Sequence, residues 1–226
     1  MTSSGAFARS PTCRRLRVAE FSRGHLIKIC GVTTLTDAEL VVAAGADALG
    51  LIVAESSRQV SLGLATSIAD ATRGAILRAL VFRDNSEEFI AECVERINPD
   101  IVQVHGHLSE SLCASLQRDG RLVVKALAIG SPEFTTFDER LVDAVLVDSP
   151  TPGSGETHSW TPLENRRFDR PLIAAGGLTP DNVIATIRSV RPWGVDCASG
   201  VESSAGVKDP TLVARFVENA RMGFKQ

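Results

Sequence analysis

The chain has 226 residues, 44% of them hydrophobic and 23% charged, with a formal net charge of −3. This apolar content excludes a disordered chain, and no uninterrupted apolar run reaches the ~20 residues that a membrane-spanning helix needs. Tyrosine is absent and tryptophan is scarce, which argues against a surface that stacks the bases of single-stranded nucleic acid.

The charge is distributed unevenly along the chain. Residues 1–25 contain five arginines and one acid, so this segment carries +4 and residues 26–226 carry −7. An acidic body argues against a nucleic-acid partner. The Arg- and Ser-rich segment has the composition of an organelle transit peptide, and a disordered extension or a misplaced start explains it as well. It lacks the apolar core of a secretory signal, so we expect a reducing compartment: the cytoplasm, or a plastid if the segment is a transit peptide.

The five cysteines are odd in number and widely spaced, without a C-x-x-C pair. This pattern predicts neither a disulfide framework nor a zinc site. The sequence also lacks an H-x-x-x-H pair or a carboxylate cluster that would indicate another metal. We therefore expect no metal site.

Eight short apolar runs follow residue 25, each about as long as a β-strand. They are Leu26–Ile29, Asp47–Val53, Leu77–Phe82, Asp100–Val104, Leu122–Leu127, Ala144–Asp148, Pro171–Ala174 and Gly194–Cys197. Helix-like segments follow them at Leu35–Ala44, Leu62–Gly74, Ser86–Ile97, Ser109–Gln117, Pro132–Leu141, Thr161–Arg166, Pro180–Val190 and Asp209–Met222. The dipeptides Thr179-Pro180 and Asp209-Pro210 place a proline at a first helical position, which is a helix-start signal.

Alternation of strands and helices predicts parallel strands joined by right-handed crossovers. Eight repeats in about 200 residues favour a closed (β/α)8 TIM barrel over an open doubly wound sheet. The open sheet would place a Gly-rich turn after the first strand, but this turn reads Cys30-Gly31-Val32-Thr33, so no dinucleotide site is predicted. The expected organisation is a basic, disordered extension at 1–25 and a single α/β barrel domain at 26–226.

In such a barrel the chemistry lies where the strands end. Ile27 and Ile29 share one face of the first strand, and Lys28 and Cys30 share the other. The apolar face must meet the helices, so Lys28 and Cys30 are predicted to point into the barrel. An ammonium below the thiol would lower the pKa of Cys30 and make its thiolate a base or a nucleophile. Alternatively Cys30 is a buried filler; for Lys28 we favour pairing with an inward-facing acid.

Two other strands end in groups suited to proton transfer. Asp148 follows four apolar residues, where desolvation would raise its pKa and let it donate a proton near neutrality. A loop cap is the alternative for this carboxylate. His105 ends the fourth strand and is either a substrate contact, an acid–base helper or a structural side chain.

The last two strands run into small residues. Strand seven leads into Gly176-Gly177, and strand eight leads into Ser199-Gly200. Small residues let backbone N–H groups approach a phosphate, and these two loops commonly hold one in such barrels. Glycine is also ordinary turn chemistry, but both pairs together predict an anion site.

Several longer motifs occur in order along the chain. They include Lys28-Ile29-Cys30-Gly31-Val32-Thr33, Ser57-Arg58-Gln59-Val60-Ser61, Val102-Gln103-Val104-His105-Gly106, Val147-Asp148-Ser149, Ala175-Gly176-Gly177-Leu178, Gly194-Val195-Asp196 and Ser199-Gly200-Val201-Glu202. Together they resemble the phosphoribosylanthranilate isomerase family of tryptophan biosynthesis. The motifs are spread over residues 26 to 220, so the resemblance covers the whole predicted barrel.

The resemblance implies a (β/α)8 barrel that isomerises N-(5-phosphoribosyl)anthranilate by an acid–base Amadori rearrangement, without a metal or an organic cofactor. By motif, Cys30 resembles the general base and Asp148 the general acid. Arg58 resembles the contact to the anthranilate carboxylate, whose planar shape suits a guanidinium.

Asp196 and His105 resemble substrate-positioning residues. Phosphate contacts are expected from Gly176, Gly177, Ser199 and Gly200. The partner is then a small phosphorylated molecule, with no nucleic acid or membrane, and the chain is a monomer or a homodimer.

The sequence departs from the family pattern on the anthranilate side. Ser57 stands where the family usually has proline, and the loop after Asp148 carries Glu156 within Gly153–Trp160, where the family has a Gly-rich pattern. These changes leave two alternatives open: a paralogue that rearranges a related aminoribosyl phosphate, and a silent barrel that only binds a phosphorylated ligand. The silent barrel is disfavoured because both Cys30 and Asp148 are present.

Overall fold

A computed structural model describes residues 24–149, 160–164 and 166–225. Eight parallel strands close into a barrel in chain order, and the eighth strand pairs with the first. The strands are β1 (Leu26–Cys30), β2 (Ala48–Ile52), β3 (Leu77–Arg83), β4 (Ile101–His105), β5 (Leu122–Ala128), β6 (Ala144–Asp148), β7 (Leu172–Ala174) and β8 (Gly194–Cys197). The predicted TIM barrel is confirmed, and every predicted strand end lies within one residue of the observed end.

Helices cover the outside of the barrel. They are α1 (Leu35–Ala43), α2 (Leu62–Ala71), α3 (Glu87–Ile97), α4 (Glu110–Arg118), α5 (Pro132–Thr136), α6 (Thr161–Glu164), α7 (Val183–Val190) and α8 (Pro210–Phe224). Four of them begin after a serine whose hydroxyl oxygen accepts the backbone N–H three residues further on: Ser61, Ser86, Ser109 and Ser131. These caps satisfy N–H groups that have no partner within the helix.

The predicted helix Leu62–Gly74 ends three residues early, at Ala71, and two other predictions differ in where a helix breaks or begins. The segment Pro132–Leu141 divides into α5 and a 3₁₀ turn at Glu139–Leu141, because Phe137 has an extended backbone and Asp138 caps the second piece. The helix predicted from Pro180 begins instead at Val183. The proline in Thr179-Pro180 therefore opens a turn, whereas Pro210 does start α8 after its Asp209 cap.

The strands separate two apolar clusters. The larger cluster lies between the outer faces of the strands and the helices. The smaller cluster fills the barrel interior with mostly small or branched side chains: Leu26, Ala48, Ala79, Ile101, Val124, Ala126, Ala144, Leu146, Ile173 and Ala175. The apolar cluster fills the middle of the barrel, and the polar inward-facing side chains lie next to it, at the carboxyl ends of the strands. Among the described helices, none is both long and apolar enough to span a bilayer.

A small hairpin follows β8 and was not predicted. A 3₁₀ turn at Ser199–Val201 leads into β9 (Glu202–Ser204), which pairs antiparallel with β10 (Val207–Lys208). The register places Lys208 opposite Glu202. The hairpin touches the loop after β1, where the Thr33 hydroxyl donates to the carbonyl of Gly206.

Candidate active site

The carboxyl ends of the strands surround a cavity of about 280 Å³. Eight of the nine predicted site residues line it: Cys30, Arg58, His105, Asp148, Gly176, Gly177, Asp196 and Ser199. Gln103, a strand-end residue in the same motif as His105, also lines it, and so do Glu55 and Arg83, which the sequence alone did not single out. Every second side chain of β3 and β4 faces inward, and Arg83 and Gln103 occupy such positions, so strand periodicity was the signal that could have found Arg83.

Gly200, the ninth predicted residue, lies outside the cavity lining. A Cβ atom at this position would collide with the carbonyl group of Leu178. The physical reason for glycine here is therefore the close approach of the loops that follow β7 and β8.

Cys30 and Lys28 point into the barrel, as strand periodicity predicts. The Nζ of Lys28 donates to Oδ2 of Asp196 at 2.7 Å, so the expected pairing of Lys28 with an inward-facing acid is confirmed. Gly50 on β2 makes room for both side chains, because a Cβ there would lie 2.7 Å from Sγ of Cys30 and 3.2 Å from Cε of Lys28.

The expected lowering of the Cys30 pKa is wrong. Burial raises the pKa of this thiol above its ordinary value, and the opposing effect of the Lys28 ammonium is smaller. The physical reason is that burial penalises the thiolate most strongly, and the negative charge of Asp196, the ion-pair partner of Lys28, adds a smaller rise in the Cys30 pKa. The thiol form of Cys30 therefore predominates at neutral pH.

Asp148 has the raised pKa that its position predicts. Burial raises the pKa of this carboxyl to about 6, and the backbone N–H of Ser149, which donates to Oδ1 at 2.7 Å, only partly opposes the shift. The neighbouring Gly176 has a φ of +89°, and a Cβ there would lie 2.6 Å from Oδ1 of Asp148. Glycine thus lets the next loop approach the carboxyl.

We expect Asp148→Asn to stabilise the fold at pH 7.5 by up to about 3 kcal/mol and to change its stability much less at pH 4. The folded protein holds the Asp148 proton up to a pKa of about 6, whereas the unfolded chain releases it near 3.9, so stability falls as pH rises through this window. Asparagine has no charge to bury and keeps an acceptor for the Ser149 N–H. Urea unfolding of both proteins at the two pH values measures the effect; an equal difference at both would contradict it.

Arg58 reaches the cavity from the loop after β2. Its Nε and Nη2 each donate to one carboxylate oxygen of Glu202 at 2.8 Å, and this hydrogen bonding raises the pKa of Arg58. Gly31 has a φ of +71°, and a Cβ there would lie 2.5 Å from Cδ of Arg58. The glycine that follows Cys30 therefore gives the arginine its path into the cavity.

His105 is a neutral group at physiological pH. Burial, together with the positive charge of Arg83, lowers the pKa of the imidazole to about 3. Its Nε2 lies 3.1 Å from Nε2 of Gln103, within hydrogen-bond distance. A neutral imidazole can donate or accept a hydrogen bond but supplies no positive charge to an anion.

Two loops line the adjoining part of the cavity because β7 and β8 pair. Gly176 and Gly177 both have positive φ, and Asn182 fixes their loop by donating to the carbonyl of Gly177 at 2.9 Å. Ser199 lines the cavity from the neighbouring loop. Small residues in this place let backbone N–H groups approach an anion closely.

The buried carboxylate of Asp196 has one oxygen to spare. Oδ2 is bound by Lys28, whereas Oδ1 has no hydrogen-bond partner among the described residues. Asp196 lines the cavity, and its buried, unpaired Oδ1 is a candidate acceptor for a ligand hydroxyl. No three His, Cys, Asp or Glu residues within the described ranges are arranged to hold a metal ion. Glu156, where the sequence departs from the family pattern, lies outside the described residues.

The chain is similar in sequence to proteins of one known family. The family model for N-(5'phosphoribosyl)anthranilate (PRA) isomerase matches residues 27–219. The N-(5'-phosphoribosyl)anthranilate isomerase of Haloarcula marismortui is 40% identical over 205 residues, covering 86% of this chain and 95% of that protein. The protein of the same name from Rhodopseudomonas palustris is 36% identical over 211 residues, covering 86% and 95%.

Solved structures agree with the sequence comparison. The phosphoribosyl anthranilate isomerase of Thermotoga maritima superposes with a TM-score of 0.77 at 32% identity, covering 88% of this chain and 99% of that chain. A second similar structure, with a TM-score of 0.74 and 31% identity over 88% and 99% of the two chains, is a complex with reduced 1-(o-carboxyphenylamino)-1-deoxyribulose 5-phosphate. A third, with a TM-score of 0.73 and 31% identity over 87% and 98%, is a monomer generated from the dimeric Thermotoga maritima isomerase.

Proposed function

The chain belongs to the N-(5'-phosphoribosyl)anthranilate isomerase family, and on that basis we propose which of its residues carry out the reaction. The chain converts N-(5'-phosphoribosyl)anthranilate to 1-(2-carboxyphenylamino)-1-deoxyribulose 5-phosphate, a step of tryptophan biosynthesis. One observation carries the residue assignment: a thiol on β1 and a carboxyl on β6 line the same cavity, with β7 and β8 between them. Cys30 and Asp148 thus approach a bound sugar from different sides.

The reaction begins with the neutral carboxyl of Asp148. It donates its proton to the furanose ring oxygen, the C1′–O bond breaks, and the nitrogen lone pair forms a Schiff base at C1′. Cys30 then acts as the base in its thiolate form, the minor form that the neighbouring Lys28 ammonium favours, and takes the proton from C2′. The electron pair of that C–H bond forms the C1′–C2′ double bond of an enolamine. Loss of the C2′ hydroxyl proton and protonation of C1′ give the ketone.

The remaining lining residues hold the substrate in this scheme. Arg58 binds the anthranilate carboxylate, since a guanidinium that has given one edge to Glu202 keeps further N–H donors. Asp196 accepts a sugar hydroxyl through its unpaired Oδ1, and neutral His105 forms a further hydrogen bond. The phosphate is bound by the loops after β7 and β8, at Gly176, Gly177, Ser199 and Gly200.

Rescue of a tryptophan auxotroph that lacks this isomerase tests the assignment in cells. The wild-type chain is expected to restore growth without tryptophan, whereas Cys30→Ala and Asp148→Asn are not. Growth with either variant at the wild-type rate would contradict its role. If the folded wild-type chain fails to rescue growth, a related aminoribosyl phosphate becomes the substrate to test.

We also propose an oligomeric state and a cellular location for the chain. A Thermotoga maritima relative is described as dimeric, and we propose a monomer or homodimer for this chain, to be distinguished by its mass in solution. The similar proteins include archaeal and bacterial ones, which supports a cytoplasmic location. We also propose that residues 1–25 are an extension to a barrel domain that spans 26–226.

A further inference from the structure

We propose that Glu202 and Lys208, the cross-strand pair of the β9–β10 hairpin, position Arg58 and set the charge that it presents to the substrate carboxylate. The inference rests on the proposed role of Arg58. It adds two positioning residues that do not themselves line the cavity.

Glu202 fixes the orientation of the guanidinium. Both of its carboxylate oxygens are used, Oε1 by Nε and Oε2 by Nη2 of Arg58, each at 2.8 Å. The side chains of Arg58 and Glu202 are 10% and 4% exposed, so little water competes for these bonds. A bidentate contact of this kind holds the plane of the guanidinium as well as its position.

Lys208 supplies the charge that Glu202 would otherwise cancel. Its Nζ donates to Oε1 of Glu202 at 2.8 Å and to the carbonyl of Ala198 at 3.2 Å, and its side chain is fully buried. Arg58 and Glu202 alone would form a neutral pair, whereas the three charged groups together carry +1. A buried surplus charge is costly without a counter-ion, and the carboxylate of the substrate is an anion that would balance it.

The pKa of Glu202 is consistent with a carboxylate held between two cations. Burial alone would raise its pKa, but hydrogen bonds from Arg58 and Lys208 and their positive charges hold the pKa of Glu202 below its ordinary value. Glu202 therefore stays ionised and keeps both cations in place. The antiparallel register of the hairpin fixes this contact, because it sets Lys208 directly opposite Glu202.

Lys208→Gln tests the charge separately from the hydrogen bond, since the amide still has a donor for Glu202. Two inhibitors serve as probes: reduced 1-(o-carboxyphenylamino)-1-deoxyribulose 5-phosphate and the same compound without its carboxyl group. We expect the variant to bind the first about 10-fold or more weakly and the second as tightly as wild type does, because the three groups then have no net positive charge to balance the carboxylate of the first compound. Lys208→Arg should retain the wild-type preference.

Equal weakening of both inhibitors by Lys208→Gln would overturn the inference, since a purely structural role affects both alike. Arg58→Gln distinguishes this result from a failure of the proposed function: if that variant keeps the preference for the carboxylated inhibitor, the role of Arg58 is itself wrong.

Arg78→Gln provides the matched control, because it removes a buried cation from Asp100 outside the cavity lining and should lower stability without changing the preference. If Lys208→Gln does not fold, Lys208→Met removes the same charge with a side chain suited to a buried position, and a loss of preference is expected, whereas an unchanged preference would contradict the inference.

Discussion

Replacing Cys30 with alanine is expected to lower kcat by about 10²–10⁴-fold, the usual contribution of a positioned general base. The thiol lines the cavity at the end of β1 and is 7% exposed, so alanine removes the base and leaves only limited access for water to replace it. KM should change little, because Cys30 is not assigned to either anion of the substrate. Steady-state turnover of N-(5'-phosphoribosyl)anthranilate measures both constants.

Cys113→Ala is the matched control for this variant. Cys113 is also a buried cysteine, but it lies on α4 and is not part of the cavity lining. It should lose some stability through the cavity that it leaves, while kcat stays near the wild-type value. A Cys30→Ala protein that turns over as fast as the wild type would remove Cys30 from the proposed mechanism.

Asp148→Asn is expected to lower kcat by a similar ~10²–10⁴-fold at pH 6, because asparagine has no acidic proton for the ring oxygen. The same substitution is expected to stabilise the fold at neutral pH, as argued above from the raised pKa of the carboxyl. Loss of activity together with a gain of stability would show that the carboxyl is retained for the reaction and not for the fold.

The pH dependence separates an acid from a group that only shapes the site. The wild-type protein needs neutral Asp148, whose pKa is about 6, and the variant has no such requirement. The ratio of wild-type to variant kcat/KM should therefore be constant below pH 6 and fall about tenfold per pH unit above it. Ionisation of Cys30 or of the substrate affects both proteins and cancels in the ratio. A ratio independent of pH would contradict the acid role.

The barrel was predictable because each strand is a short apolar run between helix-forming segments. The barrel environment buries both faces of a parallel strand, so the runs end where the strands end. The segment Pro132–Leu141 was harder, since the break at Phe137 and Asp138 depends on a local cap and not on hydrophobic spacing. The hairpin at 202–208 was missed because its strands are short, largely polar and exposed, which gives no alternating pattern.

The individual site residues were predictable, but their partners were not. Strand periodicity placed Lys28 and Cys30 inside the barrel, and the position of Asp148 at a strand end indicated its raised pKa. The predicted direction of the Cys30 pKa shift was wrong because burial raises the pKa of the thiol by more than Lys28 lowers it. Asp196, which pairs with Lys28 from 168 residues further along the chain, adds a smaller rise. The contact between Arg58 and Glu202 likewise spans 144 residues and exists only once the barrel has closed.

The most direct test of the two roles is the isotope effect of a substrate with deuterium at C2′, measured in single turnovers of Cys30→Ala and Asp148→Asn. Without its base, the protein should be limited by removal of the C2′ proton, so deuterium is expected to slow Cys30→Ala. Without its acid, it should be limited by ring opening, so deuterium is expected to leave the rate of Asp148→Asn unchanged. An isotope effect in Asp148→Asn and none in Cys30→Ala would contradict the assignment.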